Sequence, residues 1–363
     1  MKQDVYNTSK LTFHEKKLEA LLKGEITSPI CVRVKPTNKC NHRCFYCGYE
    51  EDSERSIMNR KSEIPKEKMT EILSDFKNMG VKALTYSGGG EPLIYPYIIE
   101  IMEKTLENNI ELSIITNGQE LKGRKADILT QAEWVRVSCG ESNAETFTRT
   151  RKRPESWFYK LTKNIGNFAK IKNSNCELGI NFVVQKENAN QVYESVKYFK
   201  DLGVDHIKIT PCWMPDFLEY HIYTKESVLE QIEKARQDFQ EDDFKIYDTY
   251  EKDFFYCGVN KRTYEKCFHM QIVPVIGADC NVYFCHDKAY KPDGILGSIK
   301  EISFEELWFN DDTKKIFQTF NPKIECQHHC ANDARNIMTM KLLNDLKNLE
   351  KYKPTSDKHK NFI

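Results

Sequence analysis

No apolar run in this 363-residue chain approaches the length of a membrane-crossing helix, and its first residues, MKQDVYNTSK, lack the apolar core of an export signal. The expectation is a cytoplasmic protein with no membrane partner. Charge of one sign is not in excess, with lysine plus arginine at 54 and aspartate plus glutamate at 54, so nothing in the net charge points to a nucleic-acid partner. Internal repeats and low-complexity linkers are missing too. What the chain does have is cysteine, 13 of them, clustered toward its two ends. A reducing compartment disfavours disulfides, so these thiols read as metal ligands.

Three of them, Cys40, Cys44 and Cys47, fall in one short stretch, KPTNKCNHRCFYCGYEED. Structural zinc takes four protein ligands, commonly from paired CxxC half-sites, and no fourth ligand stands nearby. The CxxxCxxC spacing instead supplies three thiolates to a four-iron cluster and leaves its fourth iron open. The alternation Cys31, Val32, Arg33, Val34 reads as a strand leading into this loop. Loops after strands are where an α/β barrel keeps its chemistry. Further on, the strand KALTYSGGGEP ends in Gly88, Gly89, Gly90, Glu91 and Pro92. Residues without Cβ let the backbone approach a ligand closely.

The cysteine loop followed by this glycine-rich strand end resembles the radical S-adenosylmethionine (radical SAM) enzymes. The resemblance implies a [4Fe-4S] cluster whose open iron binds the amino and carboxylate groups of S-adenosylmethionine. One electron, from a donor such as flavodoxin or ferredoxin, then cleaves the cofactor to a 5′-deoxyadenosyl radical that takes hydrogen from a substrate carbon. It also implies cofactor contacts at Tyr46, Gly88, Gly89, Gly90, Glu91, Thr116, Ser138 and Asn181, the last two by their places at the ends of the fourth and fifth strands.

Helix-like and strand-like segments alternate after the cysteine loop. Helical periodicity over 66–79, 97–108, 121–130, 157–172 and 190–202 separates strands near 82–87, 111–116, 134–139, 178–184 and 205–211. With the first strand these make six, the partial (β/α)6 barrel of the resembling enzymes, an α/β fold. Residues 226–248, rich in charge and glutamine, read as a bridging helix. The expected organisation is an extension over 1–30, a barrel over 31–224, a helical bridge over 225–256, an auxiliary domain over 257–335, and a helix and tail over 336–363. Arg149 and Arg151 are candidates for pairing a carboxylate.

Toward the carboxy terminus Cys267, Cys285, Cys326 and Cys330 frame a hairpin-like stretch, VIGADCNVYFC. This resembles the shortened SPASM extension called the twitch domain, which implies one auxiliary [4Fe-4S] cluster. A second would need cysteines beyond Cys330, and there are none. A four-thiolate zinc site is the competing explanation. Cys280 stands where such domains usually have glycine, and is foremost a small residue in a turn. His286, His328 and His329 flank the cysteines as surface or supporting groups. Cys212, and less so Cys139, are thiols at strand ends that could return a hydrogen atom to a substrate radical.

Only about thirty residues precede the first strand, too few for the separate recognition domain that peptide-modifying relatives often carry. The expectation is a small-molecule substrate and an oxidation or dehydrogenation, for example of a sugar or alcohol. A peptide maturase or epimerase is the alternative, and a non-catalytic metal protein on this fold is the alternative of another class. The carboxy terminus, HKNFI, lacks the double glycine of the GTP cyclase of molybdenum-cofactor synthesis, and that activity is set aside.

Overall fold

The computed structural model describes residues 5–49, 57–214, 217–251 and 261–363. Six strands pair in chain order, all parallel: β1 (Cys31–Val34), β2 (Ala83–Tyr86), β3 (Glu111–Thr116), β4 (Trp134–Ser138), β5 (Glu177–Val184) and β6 (His206–Pro211). They form the partial barrel expected from the sequence. Along each strand the outward positions are apolar. Val32, Leu84, Ile114, Val135, Ile180 and Ile207 are fully buried and share one core with the helix residues Ile72, Phe76, Met102, Leu161 and Val196. Each such side chain stabilises the fold by about 1.5–3 kcal/mol. The period of two puts the intervening residues, among them Arg33, Thr85, Ser113, Arg136, Asn181 and Lys208, on the face that lines the bore. The bore is therefore polar.

A seventh parallel strand, β7 (Lys245–Asp248), extends the sheet beyond β6. It lies in the stretch read from sequence as one bridging helix. The helix Lys225–Phe239 is present but stops before Glu241, Asp242 and Asp243, after which buried Ile246 registers with Ile207. Charge density gave that segment its helical look, while one apolar residue opposite a barrel strand was enough to fix it as sheet. The rest of the expected bridge and the first residues of the expected auxiliary domain, 252–260, lie outside the described residues. A helix not anticipated, Ala144–Arg151, precedes Glu155–Ile171. Asn143 caps it by accepting from the Thr146 amide at 2.9 Å, and Pro154 separates the two.

Both ends of the chain close the strand-start end of the barrel. Lys10 Nζ donates to the Phe362 carbonyl at 3.1 Å, Asn361 Nδ2 to Glu111 at 2.6 Å, and Tyr6 Oη meets His206 Nε2 at 3.0 Å. At the opposite edge, β8 (Val275–Ile276) pairs parallel with β1 and continues through β9 (Asn281–Tyr283) and β10 (Ile295–Ser298), giving one ten-stranded sheet. Ile276, Val282, Phe304 and Trp308 share a core with Ile72 and Phe76, and Asp75 caps the Phe304 amide at 2.8 Å. The cysteine-rich module is thus built onto the barrel's first strand. Among the described residues no helix is long and apolar enough to cross a membrane.

Candidate active site

The loop after β1 carries Cys40, Cys44 and Cys47, and its backbone is pinned across the barrel mouth. Arg43 and Phe45 donate their amides to the carbonyls of Arg151 and Thr150 at 3.1 and 3.3 Å, and Cys47 N–H closes a turn on the Cys44 carbonyl at 3.1 Å. Donors also reach the sulfurs: His42 N–H to Cys40 Sγ at 3.4 Å, Asn117 Nδ2 to the same atom at 4.0 Å, and Arg151 to Cys44 Sγ at 3.6 Å. Burial pushes the Cys40 thiol up to about 12, and Cys44 and Cys47 raise it further because the three share one field. A bound cation is what makes such a set thiolate. Among the described residues no group of three His, Cys, Asp or Glu side chains is arranged to hold a single metal ion. Three thiols on one loop with N–H donors to sulfur suit an iron–sulfur cluster.

The glycine shelf has a reason of its own. A Cβ on Gly90 would sit 1.9 Å from the Lys39 carbonyl oxygen, and one on Gly89 would sit 2.1 Å from Asn38 Oδ1. Gly90 and Glu91 donate their amides to the carbonyls of Thr37 and Lys39 at 3.0 and 2.8 Å. The glycines therefore let the shelf lie directly against the cysteine loop, a role additional to any approach by a cofactor. Glu91 is turned away into its own bracing. It accepts from Thr116 Oγ1 at 2.6 Å, the Asn117 amide at 2.6 Å and the Leu93 amide at 2.9 Å. Burial raises its carboxyl to about 7 against those three donors. Thr116 is committed to the same brace.

Ser138 and Asn181 lie side by side at the ends of β4 and β5, and their side chains are half-buried. Arg151, half of the sequence-identified basic pair, is fully buried against a carboxylate of this chain. Its Nε is 3.0 Å from Glu141 Oε1, its second nitrogen 3.1 Å from Oε2, and it also donates to the Ser138 carbonyl at 2.9 Å. Its guanidinium stands 5.5 Å from the Tyr46 ring. Arg149 is exposed. Glu141 was not visible as a partner from sequence, although ten residues separate it from Arg151 across a capped helix.

Cys267, Cys285, Cys326 and Cys330 come together in the module. Burial raises all four thiols, and Cys267 is felt by Cys285 and Cys330, and Cys326 by Cys267. Cys280 stands apart from them in the barrel core at φ 60°, a left-handed conformation in the hairpin turn where glycine is ordinarily preferred. His286 is beside the four cysteines and is kept neutral by burial and by Arg33 and Lys35.

A cavity of about 830 Å³ is lined by residues of the barrel, of the first cysteine loop and of the module. Tyr46 and Gly48 border it from the first loop, Asn181 from β5, Cys212 and Trp213 from beyond β6, and His286 and Ala331 from the module. The Cys212 thiol, 1% exposed, is raised to about 12 by burial and then by Glu187, so it keeps its proton. Cys139 is instead taken up by Glu141, with Sγ 3.5 Å from Oε2. His329 stacks on Trp213 at 3.9 Å between centroids, roofing the cavity.

A partial parallel barrel whose first loop carries three cluster-type cysteines against a glycine shelf defines an enzyme that works through an iron–sulfur cluster and a bound cofactor. A profile of the radical SAM superfamily matches residues 34–219, and one of the SPASM iron–sulfur cluster-binding domain matches 267–331. The chain belongs to the radical SAM superfamily and carries a SPASM-type domain, so its cofactors are [4Fe-4S] clusters and S-adenosylmethionine. It is 29% identical over 179 residues to a probable GTP 3′,8-cyclase of Methanocaldococcus jannaschii, covering 47% of this chain and 55% of that protein. To an S-adenosylmethionine-dependent nucleotide dehydratase of Flammeovirga pacifica it is 27% identical over 162 residues, 42% of this chain and 52% of that one. The chain thus spans about half the length of these relatives. The crystal structure of SuiB from Streptococcus suis bound to S-adenosylmethionine superposes with a TM-score of 0.63 at 16% identity, covering 88% of this chain and 75% of that one.

Proposed function

We propose that this enzyme abstracts a hydrogen atom from a small molecule seated in the 830 Å³ cavity and oxidises or dehydrogenates it, the auxiliary cluster being the group that would accept the remaining electron while the second proton leaves to solvent. The observation that supports this reading is that residues beside both cysteine groups, Tyr46 and Gly48 from the first loop and His286 and Ala331 from the module, line the same cavity. The bound cofactors supply the hydrogen-abstracting chemistry, with an electron from a flavodoxin- or ferredoxin-like donor. The chain's own residues do the rest. The first three cysteines hold one cluster and the other four hold the auxiliary one. Gly88, Gly89, Gly90, Tyr46, Ser138 and Asn181 border the cofactor, while Glu91 and Thr116 brace the shelf. Cys212 lies buried in the cavity wall with its thiol protonated. That thiol is where a hydrogen atom would be returned if the outcome were epimerisation.

A peptide substrate is the second reading, favoured by one observation. Trp213, which lines the cavity, is 43% exposed, and Leu218, Ile222 and Tyr223 in the segment that follows it are 53%, 61% and 90% exposed, apolar side chains that an extended partner could cover. SuiB has also been crystallised with its precursor peptide SuiA. The test of the whole proposal is to incubate anaerobically reconstituted, reduced protein with S-adenosylmethionine and measure 5′-deoxyadenosine. The wild type is expected to form it and the Cys40→Ala/Cys44→Ala/Cys47→Ala variant to form none. Persistent formation in that variant overturns the assignment, and failure in a fully loaded wild type supports a non-catalytic metal protein.

A further inference from the structure

Three arginines converge below the large cavity without a carboxylate to meet them. Arg33 is the third residue of β1 and Arg136 the third of β4, both on the bore face, and Arg335 enters from the first turn of the helix Asp333–Leu343. All three line a chamber of about 80 Å³ at the strand-start end, and Arg335 and Tyr6 also line the 830 Å³ cavity above it. Ion pairs within 4 Å bind Arg124, Arg151, Arg236 and Arg262 to carboxylates, but among the described residues none is found for Arg33, Arg136 or Arg335. Arg136 Nε and Arg335 Nε are buried with no hydrogen-bond partner. The long contacts of Arg335 to the Ala331 carbonyl and Asn332, 3.5 and 3.4 Å, leave most of its guanidinium unengaged.

The other charged groups around the chamber are already occupied. Glu177 is 2.8 Å from His206 and 3.0 Å from Lys358. Lys10 donates to the carbonyls of Val5 and Phe362. Glu111 accepts from Asn361, and His359 meets the Glu133 carbonyl at 3.0 Å. Asp287 is the carboxylate whose field reaches Arg33 and Arg335, and it is spent on the Ala331 amide at 2.9 Å. Burial and mutual repulsion lower both Arg33 and Arg335. Like charges brought together out of water are costly unless an anion joins them, and guanidinium forks fit oxyanions in particular.

We propose that the Arg33, Arg136 and Arg335 chamber receives an oxyanion of the substrate, a carboxylate or a phosphate, while the remainder of the substrate extends into the larger cavity. This rests on the reading of that cavity as the substrate site. About 80 Å³ has room for a group the size of a few waters, which suits one oxyanion. The substrate class is therefore an anionic small molecule, or a peptide carrying an acidic side chain or free carboxylate there.

The test is calorimetric titration of cluster-loaded protein, without S-adenosylmethionine or reductant, in low-salt buffer, using inorganic phosphate and acetate as separate probes. At least one is expected to bind wild type, with affinity at least tenfold weaker for Arg136→Gln and for Arg335→Gln. Phosphate alone binding assigns a phosphate, and acetate alone a carboxylate. Melting curves accompany the titrations. Arg136→Gln should melt no lower than wild type without added anion, and the probe should raise the melting temperature of wild type only. Binding of neither probe to wild type, or equal binding to wild type and variants, overturns the proposal. So does loss of auxiliary iron from the arginine variants, which would assign the arginines to that cluster. Because no turnover is required, failure of cofactor cleavage would strike the proposed reaction and leave this result standing.

Discussion

Replacing Arg151 with methionine tests how the first cysteine loop is held. The side chain is fully buried, carries three hydrogen bonds to Glu141, one to the Ser138 carbonyl and one to Cys44 Sγ, and its own carbonyl anchors the Arg43 amide. Removing one member of a buried pair leaves the other charged and unmatched, at a cost of about 3–5 kcal/mol. Glu141 would keep the Thr150 hydroxyl at 2.6 Å and the Gly140 amide at 3.0 Å, which favours the lower part of that range. At about 2–4 °C per kcal/mol, the melting temperature should fall on the order of 10 °C. The double variant Arg151→Met/Glu141→Gln should recover part of this, because the stranded charge is gone. Urea unfolding of the two single variants and the double gives the coupling energy. A loss below about 1 kcal/mol for Arg151→Met, or a double variant as unstable as the sum of the singles, would refute the buried-pair argument. Iron content separates stability from assembly: Arg151→Met should bind less iron at the first site and leave the auxiliary site loaded.

Loaded protein should hold about eight irons per chain, two clusters of four, and elemental analysis giving about four irons with one zinc would assign the module to zinc. Cys285→Ala/Cys330→Ala should lose the auxiliary irons and nearly all product while still forming 5′-deoxyadenosine. It should also lose stability, since a metal bound only to the folded state contributes its binding free energy, and full product formation by a folded variant shown to lack that cluster would reduce the module to a structural role. Gly90→Ala should disrupt the first site, because its Cβ would meet the Lys39 carbonyl at 1.9 Å, and normal iron loading in that variant would contradict the packing argument. His359, lowered to about 4 by burial, stays neutral when folded while the unfolded chain protonates near 6.5. Stability is therefore full above pH 6.5 and falls by about 1.4 kcal/mol per pH unit down to pH 4 on its account. Urea unfolding of His359→Gln should show that slope reduced by one proton, and an unchanged slope would mean the histidine is charged in the fold.

The six barrel strands were legible because each carries an apolar outer face bounded by helix stops such as Gly80, at φ 73°. The two cysteine groups were legible because ligands need fixed residue types, which spacing reveals. What sequence concealed was pairing. β7 has one deeply buried residue, Ile246, and draws its identity from β6 alongside it. The carboxylate partner of Arg151 and the committed state of Glu91 and Thr116 depend on which groups the chain folds together, and no local pattern encodes that. The arginines did leave a trace. CVRV and WVRVS each place an arginine between two buried valines, on the strand face opposite theirs.

The way the module is attached explains why both cysteine groups can serve one cavity. β8 registers against β1, with Arg33 opposite Val275 and Val34 opposite Ile276, and the Lys35 amide donates to the Ile276 carbonyl at 2.9 Å. The strand that delivers Cys40 to the barrel mouth is therefore hydrogen-bonded to the strand that starts the auxiliary hairpin. Asn38, two residues before Cys40, accepts from the Tyr290 hydroxyl, five residues after Cys285. A shift of one site relative to the other would break this ladder and the shared core around Ile276 and Phe304. The spacing between the two sites is consequently set by backbone pairing rather than by a linker. If the cavity is the substrate site, as proposed, this ladder would hold the two cysteine groups at a fixed separation around it, which a reaction shared between them would require.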